Sequence, residues 1–165
     1  MGKGAKWRCG AGDISASAGF ERAFRATEAQ TWMPKFCALL ARACAIAGQI
    51  EEASTLLDEA LQVVDRTGER WFAAELNRYR GQLLLRQGRV EAGEQLCQKA
   101  LSIAREQEAK LWELRAAMSL GRLRHDQGRR TEAHDLLAPV YGWFTEGFDT
   151  PDLKYAKALL EELGG

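Results

Sequence analysis

Proline is scarce, with three residues in a chain of 165. Valine and isoleucine are also sparse, so there is little of the β-branched material that packs best in a sheet. What remains is rich in Ala, Leu, Glu, Arg and Gln, whose side chains lose little rotamer freedom in a helix. An excess of charge is missing too: 23 Lys and Arg face 23 Asp and Glu. That balance lacks the field that draws a protein to duplex nucleic acid or to an anionic membrane, so neither is expected as a partner. No apolar run approaches the roughly 20 residues needed to cross a bilayer. Residues 1–12 hold no apolar stretch of the kind that directs secretion, and a cytoplasmic location is the expectation.

The groups that do chemistry are thinly spread. The four cysteines, Cys9, Cys37, Cys44 and Cys97, show neither zinc-site spacing nor the density of a disulfide scaffold, and read as small buried hydrophobes. His125 and His134 are the only histidines; they lack further ligands at metal spacing and complete no nucleophile triad. Gly2-Lys3-Gly4-Ala5-Lys6 lacks the spacing and the terminal Lys-Ser/Thr of a phosphate loop. The carboxylate pairs Glu51-Glu52, Asp58-Glu59 and Glu161-Glu162 fall on expected solvent faces. No enzyme activity, cofactor or metal is expected.

What the chain does have is a repeat. Ala47-Gly48-Gln49-Ile50-Glu51-Glu52-Ala53 returns as Gln87-Gly88-Arg89-Val90-Glu91-Ala92-Gly93, and again as Gln127-Gly128-Arg129-Arg130-Thr131-Glu132-Ala133, with a constant step of 40 residues between the glycines. The same step links Trp32, Phe72 and Trp112, the small residues Ala41, Gly81 and Gly121, and Ala60, Ala100 and Val140. A glycine between helical patterns can end one helix in the left-handed conformation, small residues allow two helices to approach, and aromatics fill the space between hairpins. The apolar spacing between glycines is helical throughout. It predicts paired helices at about 31–47 and 50–66, 70–87 and 90–106, and 110–127 and 130–144.

The flanks follow the same step. Residues 20–27 match the second helix of a degenerate earlier hairpin, so the array starts in mid-repeat. Thr150-Pro151-Asp152 starts a last helix to about Leu163, with Thr150 as N-cap, whose lysines and glutamates would cover the open end. Pro139 should bend the sixth helix. The fold class is therefore all-α, a solenoid of antiparallel hairpins with a capping helix, preceded by a flexible segment over residues 1–14 and occupying residues 15–165.

The trio Ala41, Ala53, Ala60 and its counterparts Gly81, Gly93, Ala100 and Gly121, Ala133, Val140 resemble the small positions of tetratricopeptide repeats. The common tryptophan and tyrosine are absent, and the period is 40 rather than 34. Closer stretches are Phe24-Arg25-Ala26-Thr27, Leu56-Leu57-Asp58-Glu59-Ala60-Leu61, Asp65-Arg66-Thr67-Gly68-Glu69-Arg70-Trp71, Trp112-Glu113-Leu114-Arg115-Ala116-Ala117 and the long run from Leu136 to Leu153. They resemble the C-terminal repeat region of bacterial signalling proteins. Those proteins join a class III adenylate or guanylate cyclase domain, or a winged-helix regulator, to a P-loop ATPase and then to such repeats. The resemblance implies a sensing or interaction arm.

In tetratricopeptide arrays the first helix of each hairpin lines the concave side. Here those helices are net basic: Lys35 and Arg42, then Arg78, Arg80 and Arg86 against Glu75, then Arg115, Arg122 and Arg124 against Glu113 and Asp126. The second helices are net acidic. The expected partner is a protein or peptide, an acidic one being favoured, held by Lys35, Arg42, Arg78, Gln82, Arg115 and Arg122, because guanidinium groups grip carboxylates in two-point fashion. A regulatory arm sensing a small ligand for a cyclase or ATPase is the rival. Apolar residues near Trp32, Phe36 and Leu40 also suggest self-association through the N-terminal end.

Overall fold

A computed structural model describes residues 32–164. The expected partial helix at residues 20–27, the segment 1–14 and Cys9 lie outside the described residues. Seven helices are present among those described: α1 (Met33–Ile46), α2 (Ile50–Thr67), α3 (Ala73–Arg86), α4 (Val90–Glu106), α5 (Lys110–Asp126), α6 (Arg130–Gly142) and α7 (Pro151–Gly164). The described residues contain no strand. The chain falls into two compact units, Met1–Val63 and Val64–Gly165, with the boundary in the last turn of α2.

The turn glycines behave as their spacing predicts. Gly88 has φ +77°; its N–H donates to Leu85 O at 3.0 Å and that of Arg89 to Leu84 O at 2.9 Å. This is the paired closure by which a left-handed residue satisfies the last carbonyls of a helix. Gly48 and Gly128 close α1 and α5 in the same way. A half-step, not anticipated from the sequence, emerges between hairpins, where Gly68 (φ +73°) follows α2 and Glu108 (φ +53°) follows α4. Glu108 repeats the closing bonds, Glu108 N to Arg105 O at 3.0 Å and Ala109 N to Ala104 O at 2.9 Å. A left-handed residue thus recurs every twenty positions from 48 to 128, once without glycine.

Six of the seven helix starts fall within two residues of the sequence expectation; α3 begins at Ala73 rather than 70. The turn before it is held by other bonds: Arg70 O accepts from Ala73 N at 3.0 Å and from Gln107 Nε2, in the next connection, at 2.6 Å. The rings of Phe72 and Trp112, one period apart, meet edge to face at 5.8 Å, with Trp71 beside both. They fill the space between successive hairpins.

Within Val64–Gly165, α3 and α4 cross most closely where neither has a side chain, at Gly81 and Gly93; a Cβ on Gly81 would stand 2.9 Å from Gly93 O. Leu114, Leu120, Leu137 and Leu159 are fully buried in the core that α5, α6 and α7 share with α4, each stabilising the fold by about 1.5–3 kcal/mol. Helix α7 contributes Leu153, Ala156, Leu159 and Leu163, one face at helical spacing. Its start differs in detail from expectation, since the Thr150 hydroxyl donates to Gly147 O at 2.7 Å. Helix α6 continues through Pro139 to Gly142.

In this unit the first helices touch one another, α3 with α5 and α5 with α7. Helices α4 and α6 do not pack together; Arg129, in the turn before α6, reaches Glu94 of α4 at 3.6 Å. The hairpins therefore converge on the α3–α5–α7 side, which is the inner side of this unit.

Candidate functional site

A polar seam runs along that inner side. On α3, Glu75 and Arg78 stand one turn apart and lock together, Arg78 Nε to Glu75 Oε1 at 2.7 Å and Nη2 to Oε2 at 3.0 Å. Both are buried, Glu75 to 1% exposure, and the Arg78 guanidinium lies over the Tyr79 ring at 4.3 Å. Burial alone would pull the Arg78 pKa down, but the hydrogen bond and charge of Glu75 more than offset it and hold the group above its ordinary value.

Arg115 on α5, one period after Glu75, ties three helices together. Its Nη1 reaches Glu75 Oε2 at 3.3 Å, and its Nε and Nη2 take both oxygens of Asp152 on α7. Hydrogen bonding to Asp152, against partial burial and with the charge of Glu75 added, raises the Arg115 pKa well above its ordinary value. Gln82 of α3 donates to Ser119 Oγ at 3.1 Å, and the Ser119 hydroxyl in turn donates to Arg115 O at 3.0 Å. At the far end Arg122 Nη1 reaches Glu162 Oε2 at 2.6 Å and Nη2 reaches Tyr155 OH at 3.1 Å, with the guanidinium 5.6 Å from that ring. These cross-helix partners lie 33, 37 or 40 residues apart. A step of 40 carries one first helix onto the next, and 37 is the same step less one helical turn.

Four of the expected site residues, Arg78, Gln82, Arg115 and Arg122, thus come together along one seam of α3 and α5. Lys35 and Arg42 sit on α1, in the other unit; Lys35 is half-buried with its Nζ 5.4 Å from the Trp32 ring, and Arg42 is exposed. The arginines of this stripe differ in exposure. Arg78 is buried, because a guanidinium under a neighbouring helix persists only beside a carboxylate, and Glu75 supplies it. Arg115 and Arg122 are half-buried and matched by Asp152 and Glu162. Ser119, Asp152, Tyr155 and Glu162 were missed by the sequence reading, although the step of 37 to 40 residues from Gln82, Arg115 and Arg122 would have found three of them.

A second carboxylate cluster joins α4 to α5. Glu113 accepts from Lys110 Nζ at 2.8 Å and Arg105 Nε at 3.0 Å. Burial would raise its pKa, and these two bonds and charges bring it below the usual carboxylate range. Cys44 and Cys97 are buried and Cys37 half-buried. Burial pushes the thiols of Cys37 and Cys97 up to about 11, so they are protonated and poor nucleophiles at neutral pH. His125 and His134 stand near Asp126 and Asp135 at 3.4 and 3.7 Å. Among the described residues no three His, Cys, Asp or Glu side chains gather as a metal site, and no helix is long and apolar enough to cross a membrane.

Residues 72–138, from the turn before α3 into α6, match the tetratricopeptide repeat family. The fold is accordingly an all-α, tetratricopeptide-like helical repeat. No curated protein matches the chain. Tetratricopeptide repeats generally mediate protein–protein interaction and are generally non-catalytic.

Proposed function

We propose that this chain is a protein-interaction module without chemistry of its own, which holds a peptide or protein segment, an acidic one by preference, against its first-helix side. The supporting observation is Arg122: half-buried, fixed against Tyr155 and Glu162, and using two of its five donors in those bonds. A guanidinium already held in place loses little freedom when it takes a partner's carboxylate. Arg115, with three donors engaged, and Gln82 extend the same edge, while the buried Arg78 acts by holding Glu75 and through it Arg115.

Fluorescence anisotropy with acidic, neutral and basic peptides tests this reading. The acidic peptide should bind, with affinity falling as salt rises, and Arg122→Glu should weaken capture at least tenfold while leaving the helical circular dichroism unchanged. Equal binding of all three peptides, or capture that survives Arg122→Glu with unchanged affinity, overturns it. The resemblance of residues 136–153 to the arms of cyclase and ATPase regulators supports the alternative of a ligand-sensing arm. A thermal shift produced by small metabolites in place of peptides would favour that alternative.

A further inference from the structure

Within Val64–Gly165, large apolar side chains left in solvent gather at the end of the hairpins rather than along the seam. Leu111 on the first turn of α5 is 43% exposed, and Trp143 and Phe148, beyond the end of α6, are 57% and 46% exposed. The connection that carries the two rings is longer than a turn needs. It runs over residues 143–150, whereas three residues close the chain at 87–89, 107–109 and 127–129. It is nevertheless fixed. Phe148 lies against Tyr141 with ring centroids 5.8 Å apart, Trp143 meets Phe144 edge to face at 5.2 Å, and the N–H and hydroxyl of Thr150 both donate to Gly147 O, at 2.9 and 2.7 Å. Tyr141 and Phe144 are themselves packed against the core of the unit. The exposed rings are thus held from beneath, and rings already held in place lose little freedom on meeting a partner.

The unmatched charge around them is of one sign. Glu146 and Asp149 lie in the same connection, and Glu108 in the turn that leads into α5; all three are exposed, and none of their carboxylates has a partner among the described residues. The cation beside them, Lys110, is held by Glu113 at 2.8 Å, with its ammonium 5.7 Å from the Trp143 ring. It shows how a cation sits against this indole. We propose that this surface docks a segment of a partner protein in which arginine or lysine stands beside apolar side chains. The apolar groups cover Leu111, Trp143 and Phe148, and the cations lie across the rings and answer the three carboxylates. An acidic segment, suited to Arg122, is repelled here. Leu111 and Arg122 stand eleven residues apart on α5, about 17 Å along the helix axis, so the two surfaces take their partners separately.

Fluorescence anisotropy on the full chain, with a labelled peptide of leucine and arginine beside one in which serine replaces leucine, tests the assignment. The leucine–arginine peptide should bind at least fivefold more tightly than the serine–arginine one. Trp143→Ala and Phe148→Ala should each weaken its capture at least fivefold. Glu146→Lys with Asp149→Lys, which removes no hydrogen bond of the fold, should weaken it at least tenfold while circular dichroism and melting temperature stay at the parent's values. Arg122→Glu should leave capture of this peptide unchanged, which separates the result from the test of the seam. The proposal is overturned by a parent chain that does not hold the leucine–arginine peptide, or by capture that survives Trp143→Ala and the paired lysine changes alike. A dimer in sedimentation that Trp143→Ala disperses also overturns it, since the surface would then belong to a second copy.

Discussion

Arg115 grips Asp152 at two points, Nε to Oδ1 at 3.0 Å and Nη2 to Oδ2 at 2.8 Å, and so fastens α7 to α5 across 37 residues of sequence. The same guanidinium is the second cation beside the buried carboxylate of Glu75. Replacing it with methionine should therefore cost more than replacing Asp152 with asparagine. We expect a loss of roughly 2–3 kcal/mol for Arg115→Met, which leaves Glu75 with Arg78 alone, and about 1 kcal/mol for Asp152→Asn. Urea unfolding followed by circular dichroism measures both; equal losses would show that Glu75 draws no support from Arg115.

Two glycines one period apart should respond oppositely to alanine. A Cβ on Gly81 would meet Cys97 Sγ at 2.7 Å, Gly93 O at 2.9 Å and Cys97 N at 3.2 Å, and two of these are backbone atoms that cannot swing away. Gly81→Ala should destabilise by about 1–3 kcal/mol. At Gly121 the nearest atom is Leu159 Cδ2 at 3.5 Å, an ordinary contact, so Gly121→Ala should gain about 0.5–1 kcal/mol from helix propensity. Melting temperatures that move in the same direction would refute the contrast.

Glu108 occupies, at φ +53°, the place that glycine holds at 68, 88 and 128. A side chain there is strained against its own carbonyl. Glu108→Gly should raise stability by about 0.5–1 kcal/mol, while Gly88→Val should lower it by about 1 kcal/mol or more. Calorimetry of the two variants beside the parent chain decides the point.

Glu113 makes stability depend on acid. Its folded pKa is depressed, so its contribution is present above the unfolded value of about 4.3 and is lost as the pH falls below that through the folded value. Glu113→Gln should be less stable than the parent at pH 7, and the gap should close as the pH drops toward 2. A gap independent of pH would mean that the carboxylate's charge is not what Arg105 and Lys110 respond to.

The solenoid was legible because its signal is periodic. Glycines 48, 88 and 128 and the apolar spacing between them locate six helices, and Thr150-Pro151 a seventh, from residue types alone. The half-step escaped because Glu108 stands where a glycine search finds nothing, and a left-handed backbone leaves no other mark on the sequence. The arginines were recognised as charges of the first helices, but their state was not. Whether Arg78 faces water depends on α5 lying across it, and whether Arg115 is matched depends on Asp152, a residue that the sequence marks only as the start of the last helix. The period held the clue, since Arg115 follows Glu75 and Glu162 follows Arg122 by one full step.

The reach of the seam bears on how the unit comes together. Its cross-helix hydrogen bonds span at most 40 residues of sequence. Each new hairpin thus closes a loop no longer than one repeat, and the entropy of closure grows only slowly with length in any case. Contacts this local favour rapid assembly from whichever hairpin forms first, with α7 fastened at the end of the unit by the Arg115–Asp152 clasp and by Arg122 to Tyr155 and Glu162. Loss of that terminal latch would loosen the end of the unit and leave the hairpin formed by α3 and α4 still closed at its glycine crossing.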